Sequence, residues 1–289
     1  MEPPLKQPRD LLPRRFFLRG PAGAAPPAFA DQEEEHARRV LRIGPGEVVL
    51  GIDGAGAQWR CRTVADGKRL GLVPDSEPVF LPGPGEAGAP LPHITVAVPW
   101  PKGERGEGML DRLVQLGVAR IQPLLTEWTG PGERLRMPRL ERITREALKQ
   151  SRRAHLPEIA RAITVEALTQ GLWTPDGPIE RLTWVLDADA PVSLAEVSRP
   201  IAPRPESAHG PQTPWPFNAL IAVGPEGGFS PRERGLLAGA GGRPVGLGPH
   251  ILRVETAAEA GVAMLSALFW TPRSAPKRDG ADAPPGAGP

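Results

Sequence analysis

Two glycine-rich segments near the end of the chain have the residue types of a ligand-binding loop. Residues 224–230 read Gly-Pro-Glu-Gly-Gly-Phe-Ser, and residues 246–255 read Gly-Leu-Gly-Pro-His-Ile-Leu-Arg-Val-Glu. Because glycine has no Cβ atom, backbone amides and carbonyls in such loops can approach a flat purine and a short polar chain closely. A tight turn would explain either loop alone. Two such loops, each leading into a helix, favour a nucleotide-type binding site.

The helix that follows each loop is predicted from its capping residues. Ser230 can act as an N-cap, with Pro231 at the first helical position and Glu233 at the third. Thr256 and Glu259 have the same spacing, so we expect a second capped helix from Thr256. Each loop therefore lies at the amino end of a helix.

The elements before these loops alternate between strands and helices. Predicted strands cover 93–98, 121–125, 183–186, 219–223 and 245–247, and predicted helices cover 108–116 and a segment beginning near Pro138. This β-α-β order predicts a parallel sheet with right-handed crossovers, in an α/β fold. A parallel sheet holds its ligand at the carboxyl ends of neighbouring strands, where both glycine loops are expected.

The first 82 residues are predicted to form a separate small β-barrel. Strand patterns cover 15–18, 48–50 and 59–64, with a turn at Asp53-Gly54 and one helical candidate at 32–41. Phe16 and Phe17 are interpreted as core residues, although paired aromatic side chains can also contact RNA.

Clusters of proline and glycine outline the other boundaries. We expect a linker at 83–92, a second domain at 93–272 with a proline-rich loop at 199–216, and a disordered tail at 273–289.

Positive charge is concentrated although the net charge is only +2. Residues 134–155 contain seven arginines and one lysine against two glutamates, a local excess of 8 − 2 = +6. A solvated helix face and a phosphate-binding surface both fit this pattern. The arginines interpreted as RNA-binding candidates are Arg15, Arg39, Arg42, Arg142, Arg145, Arg152 and Arg153.

Composition argues against several other classes of protein. A single cysteine, Cys61, excludes an internal disulfide framework, and the five histidines have no metal-ligand spacing. There is no phosphate-binding loop that ends in Gly-Lys-Ser or Gly-Lys-Thr. No apolar run approaches the roughly 20 residues of a membrane span, and no secretory signal is recognised. We therefore expect a cytoplasmic protein without a metal site.

The two glycine loops resemble the cofactor loops of the RsmE family of SPOUT-class methyltransferases. The resemblance rests on Gly-Pro-Glu-Gly-Gly-Phe-Ser at 224–230 and Leu-Gly-Pro-His-Ile-Leu-Arg-Val-Glu-Thr-Ala at 247–257, and weaker matches extend it upstream to Arg15. It implies a parallel sheet with a C-terminal trefoil knot, an N-terminal PUA-like barrel and a homodimer. It also implies methylation of N3 of a uridine in small-subunit (16S) ribosomal RNA, with S-adenosylmethionine as cofactor.

The resemblance also implies which residues hold the cofactor. They are Gly224, Glu226, Gly227, Gly228, Leu247, Gly248, Ile251, Leu252 and Thr256. For catalysis, a uracil N3 must lose a proton while negative charge spreads onto the flanking carbonyls. Arg253 is the candidate cation for that charge, and Glu255 is expected to orient it or to assist proton removal.

Three residues depart from the pattern usual in that family. Gln115 replaces a glutamate, and Trp128 and His250 each replace an arginine. Methylation of another ribosomal or transfer RNA base is thus an alternative, as is a non-catalytic RNA-binding protein. A nucleotide enzyme of ordinary Rossmann type is disfavoured, because here the glycine loops come last in the chain.

Overall fold

The computed structural model describes residues 13–20, 26–129, 135–171, 180–202 and 215–270. The predicted tail at 273–289 and most of the predicted proline-rich loop at 199–216 lie outside these residues. The described chain contains two sheets, and each consists of strands that follow one another along the sequence.

The N-terminal sheet has five strands, mostly joined by short turns. They are β1 (Arg14–Phe17), β2 (Val48–Ile52), β3 (Ala57–Asp66), β4 (Arg69–Pro74) and β5 (Val79–Phe80). Their order is β1-β2-β3-β4, with β5 also paired to β3. The pair β1–β2 is parallel, whereas β3 is antiparallel to β2, β4 and β5. The strand prediction for this region is confirmed.

The helix predicted at 32–41 is only partly regular. An α-helical turn, α1 (Glu33–Glu35), continues as a π-helix over His36–Val40. Gln32 precedes it in a left-handed conformation with φ 69° and makes no side-chain cap, and Ala37 is fully buried. With so little apolar surface to anchor it, this segment does not reach a full α-helix.

The two phenylalanines of β1 are both core residues, as predicted, and each is 1% exposed. Phe16 packs edge-on against Phe29 inside the N-terminal sheet, with ring centroids 5.4 Å apart. Phe17 instead joins the main core beneath the parallel sheet. Alternate residues of a strand face opposite sides, so this one strand contributes to two cores.

The parallel sheet has seven strands and confirms the β-α-β prediction. They are β6 (Ile94–Val98), β7 (Arg120–Leu125), β8 (Glu158–Ile159), β9 (Ile163–Thr164), β10 (Glu180–Leu186), β11 (Phe217–Val223) and β12 (Arg243–Val245). Their order is β12-β10-β11-β6-β7-β8, and β9 also pairs with β7. Every pairing in this sheet is parallel. The central strands β6 and β11 are buried along their length because helices cover the sheet.

Six helices accompany the parallel sheet. They are α2 (Glu104–Gln115), α3 (Met137–Ser151), α4 (Val165–Thr169), α5 (Leu194–Ser198), α6 (Pro231–Gly239) and α7 (Val254–Phe269). Helix α7 packs on β6 and β11 and also contacts α2 and α5. Gly261 permits this close approach, because a Cβ atom there would lie 3.3 Å from the Ile221 Cδ1 atom.

A hydrogen-bonded junction joins the two sheets. The turn between β2 and β3 lies against the segment that follows α3. The Gly56 amide donates to the Ala154 carbonyl at 3.1 Å, and the Leu156 amide donates to the Gly54 carbonyl at 2.8 Å. Phe17, fully buried, belongs to the core of the parallel sheet. The sheets therefore share packing as well as backbone bonds.

The predicted linker at 83–92 connects the two sheets with defined contacts. The Trp215 amide donates to the Gly85 carbonyl at 3.0 Å, and the Trp215 indole donates to the Ala89 carbonyl at 3.1 Å. Ala89 is 5% exposed and lies in the main core. The glycine and proline content indicated a connection, but the contacts come from a tryptophan far along the chain.

Candidate active site

The first glycine loop leads from the end of β11 into α6. The Gly228 amide donates to the Pro225 carbonyl at 2.8 Å, and Gly228 has a φ of 71°, which strongly favours glycine. A Cβ atom on Gly224 would lie 3.0 Å from the Phe229 nitrogen. The loop therefore requires glycine at 224 and 228 for its own shape.

The predicted capping box at the start of α6 is confirmed. The Ser230 hydroxyl accepts from the Glu233 amide at 3.1 Å, and the Glu233 carboxylate accepts from the Ser230 amide at 2.9 Å. The other Glu233 carboxylate oxygen accepts from the Glu127 amide at 2.9 Å, in the loop that follows β7. One buried carboxylate thus holds two loops at the carboxyl end of the sheet.

Replacement of Glu233 by alanine is expected to lower the free energy of unfolding by about 2 to 3 kcal/mol, because two amides lose their acceptor. Urea denaturation followed by circular dichroism measures this loss. Glu196→Ala is the matched control, since Glu196 holds the same position in α5 but is exposed and only its backbone amide is capped. A loss no larger than that of Glu196→Ala would contradict this anchoring role.

The second glycine loop leads from β12 into α7. Gly246 is held on both sides, since its amide donates to the Val192 carbonyl and its carbonyl accepts from the Leu194 amide, each at 2.9 Å. The predicted cap at Thr256 is wrong. Helix α7 begins at Val254, and Arg253 is its N-cap with no side-chain bond. Val254 is 8% exposed, so the helix starts where it can bury that side chain, and Thr256 faces solvent.

The two loops enclose a cavity of about 260 Å³ at the carboxyl ends of β10, β11 and β12. Of the nine predicted cofactor residues, eight line it: Gly224, Glu226, Gly227, Gly228, Leu247, Gly248, Ile251 and Leu252. Thr256 is not among the lining residues. Asp187 and Asp189, just after β10, also line it. The sequence analysis missed these carboxylates, although their position after a predicted strand is the signal that could have found them.

The two predicted catalytic residues are not paired with each other in the described structure. Arg253 is exposed and is absent from the cavity lining. Glu255 is 8% exposed; its Oε2 atom is buried without a hydrogen-bond partner, and its Oε1 atom lies 3.8 Å from the Arg105 Nη1 atom. The same Arg105 atom lies 3.8 Å from the Glu226 Oε1 atom of the first loop. Arg105 thus stands between a cofactor-loop carboxylate and the candidate base.

Sequence reasoning missed Arg105 because its partners lie more than 100 residues away. It belongs to the first turn of α2, which packs beside α7. A second pair joins the same helices: the Arg112 Nε atom lies 2.7 Å from the Glu259 Oε2 atom. A hydrogen bond from this guanidinium to Glu259 raises the pKa of Arg112. The paired charges fix α2 against the start of α7.

Comparison with known proteins shows which family the chain belongs to. The family model described as RNA methyltransferase domain matches residues 88–267. The chain is 32% identical over 236 residues to ribosomal RNA small subunit methyltransferase E of Synechocystis sp., covering 80% of this chain and 70% of the relative. It is 28% identical over 247 residues to the protein of the same name from Mycobacterium bovis, covering 83% and 86%. The chain belongs to the RsmE family. The resemblance seen in the glycine loops is therefore confirmed.

The fold agrees as well. The crystal structure of ribosomal RNA small subunit methyltransferase E from Neisseria gonorrhoeae bound to S-adenosyl methionine matches with a TM-score of 0.68. The match covers 89% of this chain and 98% of that chain at 23% sequence identity. It shows that the mixed α/β architecture with a parallel sheet is that of RsmE proteins.

The arginines that sequence analysis assigned to RNA have different surroundings in this RsmE chain. Arg142 and Arg145 are exposed on α3, and the Arg145 guanidinium lies 4.5 Å from the centroid of the Phe17 ring. Arg39 is exposed but pairs with Glu35, at 2.7 Å. Arg42 and Arg152 are also exposed. These side chains, apart from the paired Arg39, are available to a phosphate backbone.

Arg153 and Arg15 are less available. Arg153 donates to the Val114 carbonyl at 2.7 Å, and burial lowers its pKa to about 10. This bond ties the segment after α3 to the end of α2, so Arg153 has a structural contact within the protein. Arg15 is 9% exposed. A basic residue pattern along the chain does not distinguish covered guanidinium groups from exposed ones.

The three departures from the family pattern lie on the surface. Gln115 donates to Asp111 at 2.8 Å on α2. Trp128 is 62% exposed in the loop after β7, beside the Glu127 amide that Glu233 binds. His250 lines the cavity. Within the described ranges, no helix is long and apolar enough to cross a membrane, and no group of three potential metal ligands was found.

Proposed function

We propose that this protein methylates N3 of a uridine in small-subunit ribosomal RNA, with S-adenosylmethionine as methyl donor. The observation that carries the proposal is the cavity formed by both glycine loops in a chain of the RsmE family. Relatives in that family are named for small-subunit ribosomal RNA, and a structure of the same fold contains the cofactor.

The residues around the cavity suit this cofactor. Gly227 and Gly248 have no atom within 4 Å of their Cβ positions, so their backbones are open to a ligand. Val185 and Val223 provide apolar contact for an adenine ring, and Glu226, Asp187 and the loop backbones provide polar contact for the ribose and amino-acid parts. When bound there, S-adenosylmethionine supplies an electrophilic methyl group. The protein has to align the nucleophile with it.

The proton on uracil N3 has to leave before or during transfer. We assign its removal to Glu255, whose buried Oε2 atom has no hydrogen-bond partner in the described chain and is free to accept one. Arg253, at the amino end of α7, would stabilise the negative charge that spreads over the uracil carbonyls. The Arg105 Nη1 atom lies 3.8 Å from the other oxygen of Glu255, and its charge would orient the carboxylate.

The wider architecture is proposed on the same basis. Strand β12 lies beyond β10, and α7 then returns to pack on β11 and β6, a path that supports a trefoil knot in domain 93–272. The five-stranded sheet in residues 1–82 supports a PUA-like RNA-binding barrel. RNA would cross Arg142 and Arg145 on α3 and reach Arg42, and Arg39 would join this surface only by leaving its pair with Glu35. We further propose a homodimer, supported by half-buried small residues along α7, and a cytoplasmic location where ribosomal RNA is modified.

Transfer of a labelled methyl group to RNA tests the function. Purified protein is incubated with labelled S-adenosylmethionine and either deproteinised 16S RNA or small ribosomal subunits from cells that lack the enzyme. Methylation at N3 blocks base pairing, so reverse transcriptase should stop at one uridine. A labelled methyl group on a different base or on transfer RNA would show that the substrate assignment is wrong. Cofactor binding without any transfer to RNA would contradict the proposal.

A Gly227→Val variant tests the cofactor cavity. The new side chain meets no protein atom within 4 Å at its Cβ position but enters the cavity lining. We expect overpacking of about 2 to 3 kcal/mol against the ligand, roughly a 30- to 150-fold weaker Kd by calorimetric titration. Gly235→Val on α6 is the matched control, since its Cβ position is also open and it lies outside the cavity. Equal affinity for both variants would place the cofactor elsewhere.

A further inference from the structure

Arg15 is a buried cation with no partner among the described residues. It lies on β1 and is 9% exposed, and its three guanidinium nitrogens are buried without a hydrogen bond. Arginine is normally solvated or paired when buried, because an uncompensated buried charge is costly. Arg15 and Phe17 alternate on β1 and so share a face of the strand. Since Phe17 packs in the core shared with the parallel sheet, Arg15 faces the junction.

The neighbouring charge that affects Arg15 is also positive, namely that of Arg152. Burial lowers the pKa of Arg15 to about 10, and repulsion from Arg152 contributes to the decrease. Arg152 ends α3 in a left-handed conformation with φ 61°, where glycine is usual, and it is exposed. In the part of the chain that the structure describes, no ion pair involves Arg152. Among the described residues, Arg15 and Arg152 are therefore two interacting like charges without a carboxylate partner.

Backbone bonds hold these arginines in place. Arg152 directly precedes the segment in which Ala154 and Leu156 bond to the turn between β2 and β3. Arg145, about two helical turns before Arg152, lies over the Phe17 ring. The positive charges of Arg15, Arg145 and Arg152 thus lie on β1 and α3, on the two sides of the junction, and hydrogen bonds and packing position these elements.

We propose that Arg15 and Arg152 form a binding site for a backbone phosphate of the RNA substrate at the junction of the two sheets. The inference rests on the proposed function. Arg152 is exposed and makes the first contact, and the Arg15 guanidinium turns toward the phosphate, where its N–H groups can bind two oxygens. One anion then removes both the repulsion and the unpaired buried charge. The exposed Arg142 and Arg145 continue the basic surface along α3, which favours a polyanion over a free phosphate ion.

An Arg15→Met variant separates this site from a structural role. Methionine keeps an unbranched stem but removes the charge, so the RNA-free protein should unfold at a higher temperature than wild type. Its affinity for deproteinised 16S RNA, measured by filter binding, should fall by about five- to tenfold. The slope of log Kd against log salt concentration should decrease by about one. Affinity for S-adenosylmethionine should not change, because Arg15 is not among the cavity lining residues.

Two further variants complete the test. Arg19→Met is the control for net charge, since Arg19 lies just after the same strand and pairs with Asp31 at 3.0 Å; it should weaken RNA binding less than twofold. Arg152→Gly places glycine at a left-handed position, so it should raise the melting temperature and also weaken RNA binding. It remains informative if Arg15→Met fails to fold.

The outcomes distinguish this site from the proposed function. If wild type transfers methyl groups to 16S RNA and Arg15→Met and Arg152→Gly bind that RNA as wild type does, the phosphate site is wrong and the function stands. If wild type transfers no methyl group, inorganic phosphate still reports on the site: it should raise the melting temperature of wild type more than that of Arg15→Met. Equal increases in melting temperature for both proteins would overturn the site and show only a general effect of the anion.

Discussion

A Glu255→Gln variant is expected to lower kcat for methyl transfer by about 10²- to 10⁴-fold, the usual contribution of a general base. Glutamine has the same size and can still hydrogen-bond, but it cannot accept the N3 proton. Glu255 is suited to that task because its Oε2 atom is buried and has no partner in the described chain. Single-turnover transfer to 16S RNA at saturating S-adenosylmethionine measures the effect.

The matched control for this variant is Glu259→Gln, one turn later on α7. Glu259 pairs with Arg112 at 2.7 Å and is not assigned a role in proton transfer. Its replacement should change kcat less than about threefold, as expected for a partly exposed ion pair. Cofactor affinity should remain near wild type in both variants, because neither residue lines the cavity. Equal losses of kcat in both variants would show that α7 packing, rather than a base, is affected.

An Arg253→Met variant is expected to lower kcat by about 10²- to 10³-fold, the usual cost of losing one group that stabilises an oxyanion. The charge on the uracil carbonyls develops only as N3 is deprotonated, so the loss should appear in kcat and leave KM for RNA nearly unchanged. Arg253 is exposed at the amino end of α7, so its side chain can reach a substrate without disturbing the core.

Arg105→Met provides the decisive comparison. Arg105 is proposed to orient Glu255, since its Nη1 atom lies 3.8 Å from the Glu255 Oε1 atom, and it does not line the cavity. Its removal should therefore reduce kcat only about tenfold. A larger loss for Arg105→Met than for Arg253→Met would make Arg105 the cation that faces the substrate. An increase in KM alone for Arg253→Met would instead assign Arg253 to RNA binding.

Features set by neighbouring residues were predictable from the sequence. Ser230 and Glu233 form the expected capping box because the interaction needs only two residues three positions apart. The same spacing at Thr256 and Glu259 was misleading, since α7 begins at Val254, which is buried in the main core. Local capping is worth about 1 kcal/mol, less than the burial of a valine side chain, so packing determined the boundary.

Features set by contacts across the fold were not predictable. The pairing of Glu255 with Arg105 joins residues on α7 and α2, and nothing near either residue in sequence indicates the other. Arg153 follows the basic pattern of α3, yet it donates to Val114, a contact that only helix packing creates. The glycine loops were recognised because two short motifs, 224–230 and 246–257, together contain most of the cavity lining.

The hydrogen-bonded junction between the sheets sets the distance from the N-terminal sheet to the glycine loops. The turn at Gly54 and Gly56 is bonded to the segment after α3, and Phe17 is packed in the main core, so the N-terminal sheet is held against the parallel sheet at this point. An RNA bound to its surface, as proposed, would therefore lie at a defined distance from the glycine loops. If RNA binds across both sheets as proposed, this separation limits which nucleotide of the folded RNA can reach the cavity.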